Sequence, residues 1–513
     1  MSFNKKFVLP VAAAMLMASC GGSSGTGLST SQQPSASGLS SQQSSASPSS
    51  SAQSHKEDHV IDTPVEITFW STFNDEYQGT INSIIEEFKK VEPNVTVKNV
   101  KESGSYTDLK DKVVDNLAAG MHPDMFVGYP DSVQELMQYN AVVNLDPYIN
   151  NPVYGWTQED KEDIIEAYLE EGESYPVPGV WSVPAAKSTE AMYYNRDVLL
   201  NLDLSAQDPT INDGTPLTEA YLNNLTWEEL FDHLCPAIVA KNELLPADQK
   251  ILKSNENYTT TVFGYDSDDN LFITLAEQYG YGYTSVDQVT GEGSIDFVND
   301  GMKSLVKKFR SEHYNEGIPH FFTKGSNNNN YTNYTFTASC SLFSVGSTGG
   351  SGYQVSPDFD TGVAKIPHAA GKDAKVINQG PSIAVLNHKD DNRALASWLF
   401  YKFFTNEKNA AVWAINSGYS PIRYSTLDSA EYAEYSTLTG KQARSKEIVK
   451  ARVAQYVTTV SRDLYSSPVF KGSAEARTQV GSLMIQSLSA ETLTDAQLDK
   501  LFSDAENNVK KKM

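Results

Sequence analysis

Between residues 66 and 128 short apolar runs alternate with amphipathic ones, and this pattern constrains the fold more than any other feature of the chain. EITFW at 66–70 has the length and the β-branched, aromatic content of a buried strand. TINSIIEEFKK then places Ile81, Ile84, Ile85 and Phe88 on one helical face, and Pro93 stops the helix. VTVKNV predicts a second strand, and TDLKDKVVDNLAAG a helix with Leu109, Val113 and Leu117 in register and Gly120 at its end; DMFVG predicts a third strand. Strands joined through helices pair in parallel, so the segment predicts an α/β fold with helices on both faces of a parallel sheet.

A second α/β region begins near Val183. It includes the helix opened by TWEELFDHL, an Asn- and Tyr-rich stretch to about 334, the strand-like TFTASCSLFSV and a further strand in TGVAKIP. VINQGPSIAVL at 376–386 reads as a strand bounded by a glycine, and DDNRALASWLFYKFFT as a capped, strongly apolar helix in which Trp398 belongs to the core. The last hundred or so residues are predicted mostly helical.

The first residues have the build of an export signal: a basic start, MSFNKK, an apolar run too short to span a membrane, then small residues before Cys20. MASC resembles the lipobox of bacterial lipoproteins, which implies removal of residues 1–19 and a lipid on Cys20. Residues 20–62 are rich in Ser, Gly and Gln, a composition that buries no core and predicts a disordered tether with a span of roughly 35 Å. GGSSG within it matches the G-x-S-x-G hydrolase pattern but has neither the preceding strand nor the following helix.

A formal net charge of -24 argues against a nucleic-acid partner, which is met by clusters of Lys and Arg. Beyond the signal there are two cysteines, Cys235 and Cys340, so the fold does not depend on a disulfide framework; a pair and two buried thiols both remain open. The eight histidines form no H-E-x-x-H and no Cys/His cluster, so no metal and no cofactor are expected. DSDDN at 266–270 lacks the glycine and glutamate of a calcium loop and reads as a polar turn capping the next helix. FSVGSTGGSG at 343–352 lacks the G-K-[ST] ending of a phosphate loop and reads as a strand opening into a donor-rich loop; a helix starting at 349–354 would make it favour an anion.

Several phrases together resemble one family, the extracellular solute-binding proteins of carbohydrate ATP-binding-cassette importers, which includes maltose-binding and glycerol-3-phosphate-binding proteins. The carriers are ITFW with the following helix and PNVTV, AAGMHPDMFVGY, VPAAKSTEAMYYNRDVL, TWEEL, FSVGSTGG, INQGPSIAV, SGYSPIR and VFKGSAEARTQVG, in this order from about 64 to 510. The resemblance implies a two-lobed, periplasmic-binding-protein-like fold of type II, closing on ligand by a hinge. The lobes would be 64–182 plus 379–420 and 183–378 plus 421–513. It further implies a monomer without catalysis, held outside the cell membrane by its lipid, that delivers a carbohydrate to permease subunits. Glycerol-3-phosphate or a glycerophosphodiester is the alternative ligand, and a secreted glycoside hydrolase the alternative class.

In open α/β sheets ligands sit beyond the carboxyl ends of the strands, which singles out Ser71, Asn74 and Asp75 after the first strand and Tyr129 and Asp131 after the third. Such residues supply hydrogen bonds for sugar hydroxyls and aromatic faces for the ring, although Asp131 also suits an N-cap. The resemblance to glycerol-3-phosphate-binding members implies ligand roles for Ser188, Ser347, Gly380, Tyr419 and Arg477, and for Tyr106 after the second strand. In maltose-like members the crossing segment carries a glutamate, matched by Glu190. Trp70 and Trp181 sit beside these loops.

Overall fold

The computed structural model describes residues 60–287, 289–430 and 444–513, so the signal, most of the tether and Cys20 lie outside the described residues. Two five-stranded sheets organise the rest. The first contains β1 (Val65–Ser71), β2 (Val95–Lys101), β3 (Met125–Gly128), β4 (Val183–Pro184) and β13 (Ser382–Val385), in the order β2-β1-β3-β13-β4. β1 pairs in parallel with β2 and β3 as the alternation predicts. β13 is a late return of the chain and runs antiparallel to both of its neighbours, β3 and β4, so the sheet is mixed rather than wholly parallel.

Both faces of this sheet are covered. Ile67 and Phe69 of β1 pack with Ile81, Ile84 and Phe88 of the helix Asp75–Val91 and with Trp398, Phe400 and Phe404 of the helix Asp391–Phe404. On the other face Phe126 meets Leu109, Val113, Val133 and Leu136 from the helices Tyr106–Leu117 and Pro130–Met137. Each such side chain contributes about 1.5–3 kcal/mol when fully buried.

The second sheet contains β5 (Glu190–Asn195), β6 (Phe263–Tyr265), β9 (Phe321–Thr323), β10 (Phe343–Ser347) and β11 (Thr361–Ala364), ordered β11-β5-β10-β6-β9. Its core is separate from the first, with Trp227, Phe231, Phe263, Phe309 and Phe321 packed together. Cys235 and Cys340 are buried free thiols. Among the described residues no helix is long and apolar enough to cross a membrane, and no group of acidic, His or Cys residues is placed to hold a metal.

Several local expectations change. TFTASCSLFSV does not form one strand: Thr332–Thr337 is a helical turn, because the Thr332 amide and hydroxyl donate to Asp266 at 2.7 and 2.8 Å and start a turn there; the strand begins at Phe343. VINQGPSIAV splits into β12 (Val376–Ile377), which pairs with β14 (Leu464–Tyr465), and β13. Gly380 separates them at φ +89°, where a Cβ would lie 2.2 Å from the Ala186 carbonyl oxygen. Two crossing segments therefore touch backbone to backbone, with Ser188 and Gln379 exchanging N–H···O bonds of 2.8 Å. Val183 and Pro184 are the last residues of this pass of the chain to pair in the first sheet.

Candidate functional site

A cavity of about 330 Å³ lies where the two bodies face each other. Tyr106, Tyr129 and Asp131 come to it from the ends of strands in the first sheet, and Gln379 and Gly380 from the second crossing. Asp269 and Asn270, in the first turn of the helix Asp268–Tyr279, and Arg477, in the helix Ser473–Ser489, close the far side.

The far wall is a connected set of bonds. Arg477 Nη1 donates to Asp269 Oδ2 at 3.0 Å and to Asn270 Oδ1 at 2.6 Å. With its oxygen facing Arg477, the Gln379 amide accepts from both terminal guanidinium nitrogens at 3.1 Å. Asn270 Nδ2 donates at 3.0 Å to Glu190, which also accepts from the Tyr265 hydroxyl. Burial opposes the Arg477 charge, but Asp269 beside it holds the guanidinium pKa above its ordinary value. Burial likewise works against the Asp269 carboxylate, which Arg477 nonetheless keeps below its usual value. Glu190, 2 % exposed, is pushed up to about 8 by burial, so it is protonated at neutral pH.

The near wall is aromatic. Tyr106 and Tyr129 pack edge to face with centroids 5.2 Å apart, and the Tyr106 hydroxyl lies 3.2 Å from that of Tyr419. Asp131 reaches across the cavity and accepts from the Ser473 hydroxyl, and burial raises its pKa. Between the walls Lys187, 0 % exposed, donates to Glu171 Oε2 at 2.5 Å and to the Gly380 carbonyl at 2.9 Å. Glu171 also accepts from Ser382 at 3.0 Å and from Asn378 at 3.2 Å. Asn378, 5 % exposed, has an Oδ1 closed to solvent and without a partner among the described residues.

Of the residues expected from sequence, Tyr106, Tyr129, Asp131, Gly380 and Arg477 line this cavity. Asp131 is not an N-cap; Tyr129 holds that position and Pro130 starts the helix. The others are used elsewhere. Ser71 is buried against Gln78 Nε2 at 2.9 Å; Asn74 caps the helix Asp75–Val91, accepting from the Tyr77 amide; Asp75 is exposed and pairs with Lys101 at 2.6 Å. Ser188 supplies the backbone bridge of the crossings, and Glu190 lies beneath Asn270. Tyr419 stands behind Tyr106 in a cluster with Phe73, Tyr77 and Trp413. Ser347 accepts from the Gly349 amide at the start of a short 3-10 turn, Thr348–Tyr353, while the Thr348 amide donates to the Thr189 carbonyl at 2.8 Å. These donors of the glycine-rich loop are spent inside the protein. Trp70 carries Lys112 5.2 Å above its ring, and the Trp181 indole N–H donates to the Val177 carbonyl.

Sequence reasoning missed Asp269, Asn270, Glu171, Asn378 and Gln379 as cavity residues. The DSDDN stretch is the start of the helix itself, with Asp268 as its first residue. Its position directly after β6, at a strand's carboxyl end, was a usable signal. Glu171 and Lys187 had none, because their further partners Asn378, Gly380 and Ser382 come from the second crossing.

Two α/β bodies, each with its own core, joined by paired crossings and enclosing a polar, tyrosine-walled cavity, define a two-lobed ligand-binding protein. The sequence matches the bacterial extracellular solute-binding protein family over residues 83–440, and the chain belongs to that family. No curated protein sequence matches it. The fold is similar to that of UgpB from Mycobacterium tuberculosis in complex with glycerophosphocholine, at TM-score 0.63 and 19% identity, covering 87% of this chain and 98% of that one. It is also similar to the GacH receptor of Streptomyces glaucescens, whose complexes include acarbose (TM-score 0.60, 15% identity, 88% and 98% covered). A third is MalE from Listeria monocytogenes with maltose, at 0.58 and 18%, covering 87% and 98%.

Proposed function

We propose that this chain is the substrate-binding protein of an ATP-binding-cassette importer, anchored outside the membrane through a lipid on Cys20, and that it delivers a carbohydrate to the permease. The lobes divide near residues 184, 379 and 420, and the ligand occupies the cavity between them. Tyr106 and Tyr129 offer ring faces; Asp131 and Asp269 take hydroxyls.

The observation that carries this choice of ligand is the contrast between the spent cationic donors and the Asp131 carboxylate, which has no cation among the described residues. Arg477 is committed to Asp269 and Asn270, and Lys187 to Glu171 and Gly380. Asp131 has the Ser473 hydroxyl but no ion pair among the described residues, and its carboxylate lines the cavity. A polyol brings hydroxyl donors to this carboxylate, whereas a phosphate group brings only further acceptors. A glycerophosphodiester is the second reading, favoured by the likeness to the glycerophosphocholine complex of UgpB.

The two readings separate in a thermal-shift screen, because a ligand that binds the folded state raises the melting temperature. Neutral oligosaccharides should stabilise the protein, and glycerol-3-phosphate and glycerophosphocholine should not. Stabilisation by the phosphates and by no sugar would overturn the carbohydrate assignment. Catalysis is not expected, since Glu171 and Asp269 are tied up in ion pairs rather than free as an acid and a base. Release of shorter sugars on incubation with oligosaccharides would refute this.

A further inference from the structure

At the end of the first sheet away from the cavity, His122 and His388 stack face to face, with ring centroids 4.0 Å apart and planes 10° from parallel. His122 lies in the segment that enters β3, and His388 in the one that leaves β13. These strands pair antiparallel, Ser382 against Gly128 and Val385 against Met125, and their other ends carry Tyr129, Asp131 and Gly380 to the cavity. The histidine contact is reciprocal. His122 Nε2 donates to the Asn387 carbonyl at 3.3 Å, beside His388, and His388 Nε2 donates to the Pro123 carbonyl at 3.1 Å, beside His122. A carbonyl only accepts, so both rings carry a proton on Nε2, and neutral rings keep Nδ1 bare.

The surroundings oppose a positive charge on this pair. His122 is buried, and its Nδ1 is closed to solvent with no partner among the described residues, so protonation would leave an N–H without an acceptor. The Asp124 carboxylate lies 3.7 Å from His388 Nε2, but it already accepts two bonds from Arg393, at 2.6 and 2.7 Å, and two from Thr68. Asp390 is turned to the amides of Asn392 and Arg393 as a helix cap, Asp391 shares a hollow with His388, and Arg393 and the adjoining Lys389 are cations. Burial and the facing His388 ring hold the His122 pKa below its ordinary value. Two positive rings at this separation would also repel each other.

We infer that His122 and His388 form an acid-opened clasp between β3 and β13, closed while both rings are neutral and released when a proton enters the stack. A member of an extracellular family meets the pH of its surroundings directly, so the clasp couples outside acid to the strands that carry cavity residues. The opened state takes up more protons, so protection is full above the ordinary histidine value near 6.5 and is lost as the pH falls below it. Hydrogen exchange of the full chain, corrected for the intrinsic rate at each pH, tests this on peptides covering 122–127 and 384–390. These include the amides of Leu386 and Asn387, bonded to the Asp124 and Ala141 carbonyls. Between about pH 7.5 and 5, protection there should fall about tenfold in the parent. In His122→Gln and in His388→Gln, which keep an N–H donor but take no proton, it should stay within about threefold. A parent change below threefold, a larger fall in either variant, or a fall spread equally over both sheets overturns the clasp. The first and last of these outcomes are read on the parent alone, so they decide even where a variant does not fold.

Discussion

The two walls of the cleft are built by different means. The wall from the first sheet is shaped by ring packing, Tyr129 on Tyr106 and Tyr106 against Tyr419, with a single hydroxyl contact among them. The wall from the second sheet is a relay of polar groups running from Tyr265 through Glu190 and Asn270 to Arg477. Aromatic faces tolerate small displacements of a ligand; a hydrogen-bonded relay does not. The first lobe therefore supplies area and the second supplies a fixed polar pattern, and closure brings them together where Asp131 meets Ser473.

The strongest way to break this division is at the crossings, where both walls are held. Lys187→Met leaves Glu171 buried at 4 % exposure without its cation, and breaking a buried pair from one side costs about 3–5 kcal/mol. Urea unfolding should show that loss, and Glu171→Gln with Lys187→Met should recover most of it. A single-variant loss below about 1 kcal/mol would mean that the two walls are not joined through this pair.

The next effect is on binding and compares the walls directly. Arg477→Ala removes the centre of the relay and takes the guanidinium donor from Asp269 and Asn270. Affinity for the best ligand of the screen should fall about 100-fold, or about 2.7 kcal/mol, in calorimetry. Tyr129→Leu on the aromatic wall, which keeps apolar area, should cost less than tenfold. The reverse ranking would assign specificity to the first lobe.

The alternation of strands and helices from EITFW to DMFVG made the first lobe legible, because the 3.6 and 2.0 periods of Ile81, Ile84 and Phe88 and of β1 are set locally. The cavity was legible where a residue lies at a strand end, as Tyr129 and Asp131 do. It was not legible where the chain returns from far away. Glu171 and Lys187 are brought together with Asn378, Gly380 and Ser382 from about two hundred positions later, and the sequence around each carries no mark of the other. Ser347 misled for the opposite reason: a glycine-rich loop offers donors in any fold, and here the Thr189 carbonyl and the Ser347 hydroxyl take them.

The relay also predicts a pH dependence that the aromatic wall does not share. Glu190 titrates near 8 in the folded protein, above the ordinary carboxylate value near 4.5, so the native state holds a proton that the unfolded chain has released. Its contribution is complete below about pH 4.5 and is lost as the pH rises toward 8, at up to about 1.4 kcal/mol per pH unit. Glu190→Gln keeps the neutral form at every pH. Stability measured across pH 5 to 8 should therefore slope downward more steeply in the parent than in this variant, and parallel curves would remove Glu190 as a titrating group.

The smallest effect concerns the hydroxyl contact between two tyrosines of the aromatic wall. Tyr106 and Tyr419 share one hydroxyl–hydroxyl bond at 3.2 Å, so Tyr106→Phe and Tyr419→Phe delete the same interaction from opposite ends. Each should cost about 0.5–1.5 kcal/mol in stability, the net worth of a neutral hydrogen bond, and the double variant should cost little more than one alone. The binding outcome decides what that bond does. Tyr106 lines the cavity and Tyr419 does not. If the hydroxyl pair merely orients the Tyr106 ring, both single variants should weaken ligand binding equally and by less than about threefold. A larger loss for Tyr106→Phe than for Tyr419→Phe would show that the Tyr106 hydroxyl itself meets the ligand. The aromatic wall would then carry part of the polar pattern assigned to the second lobe.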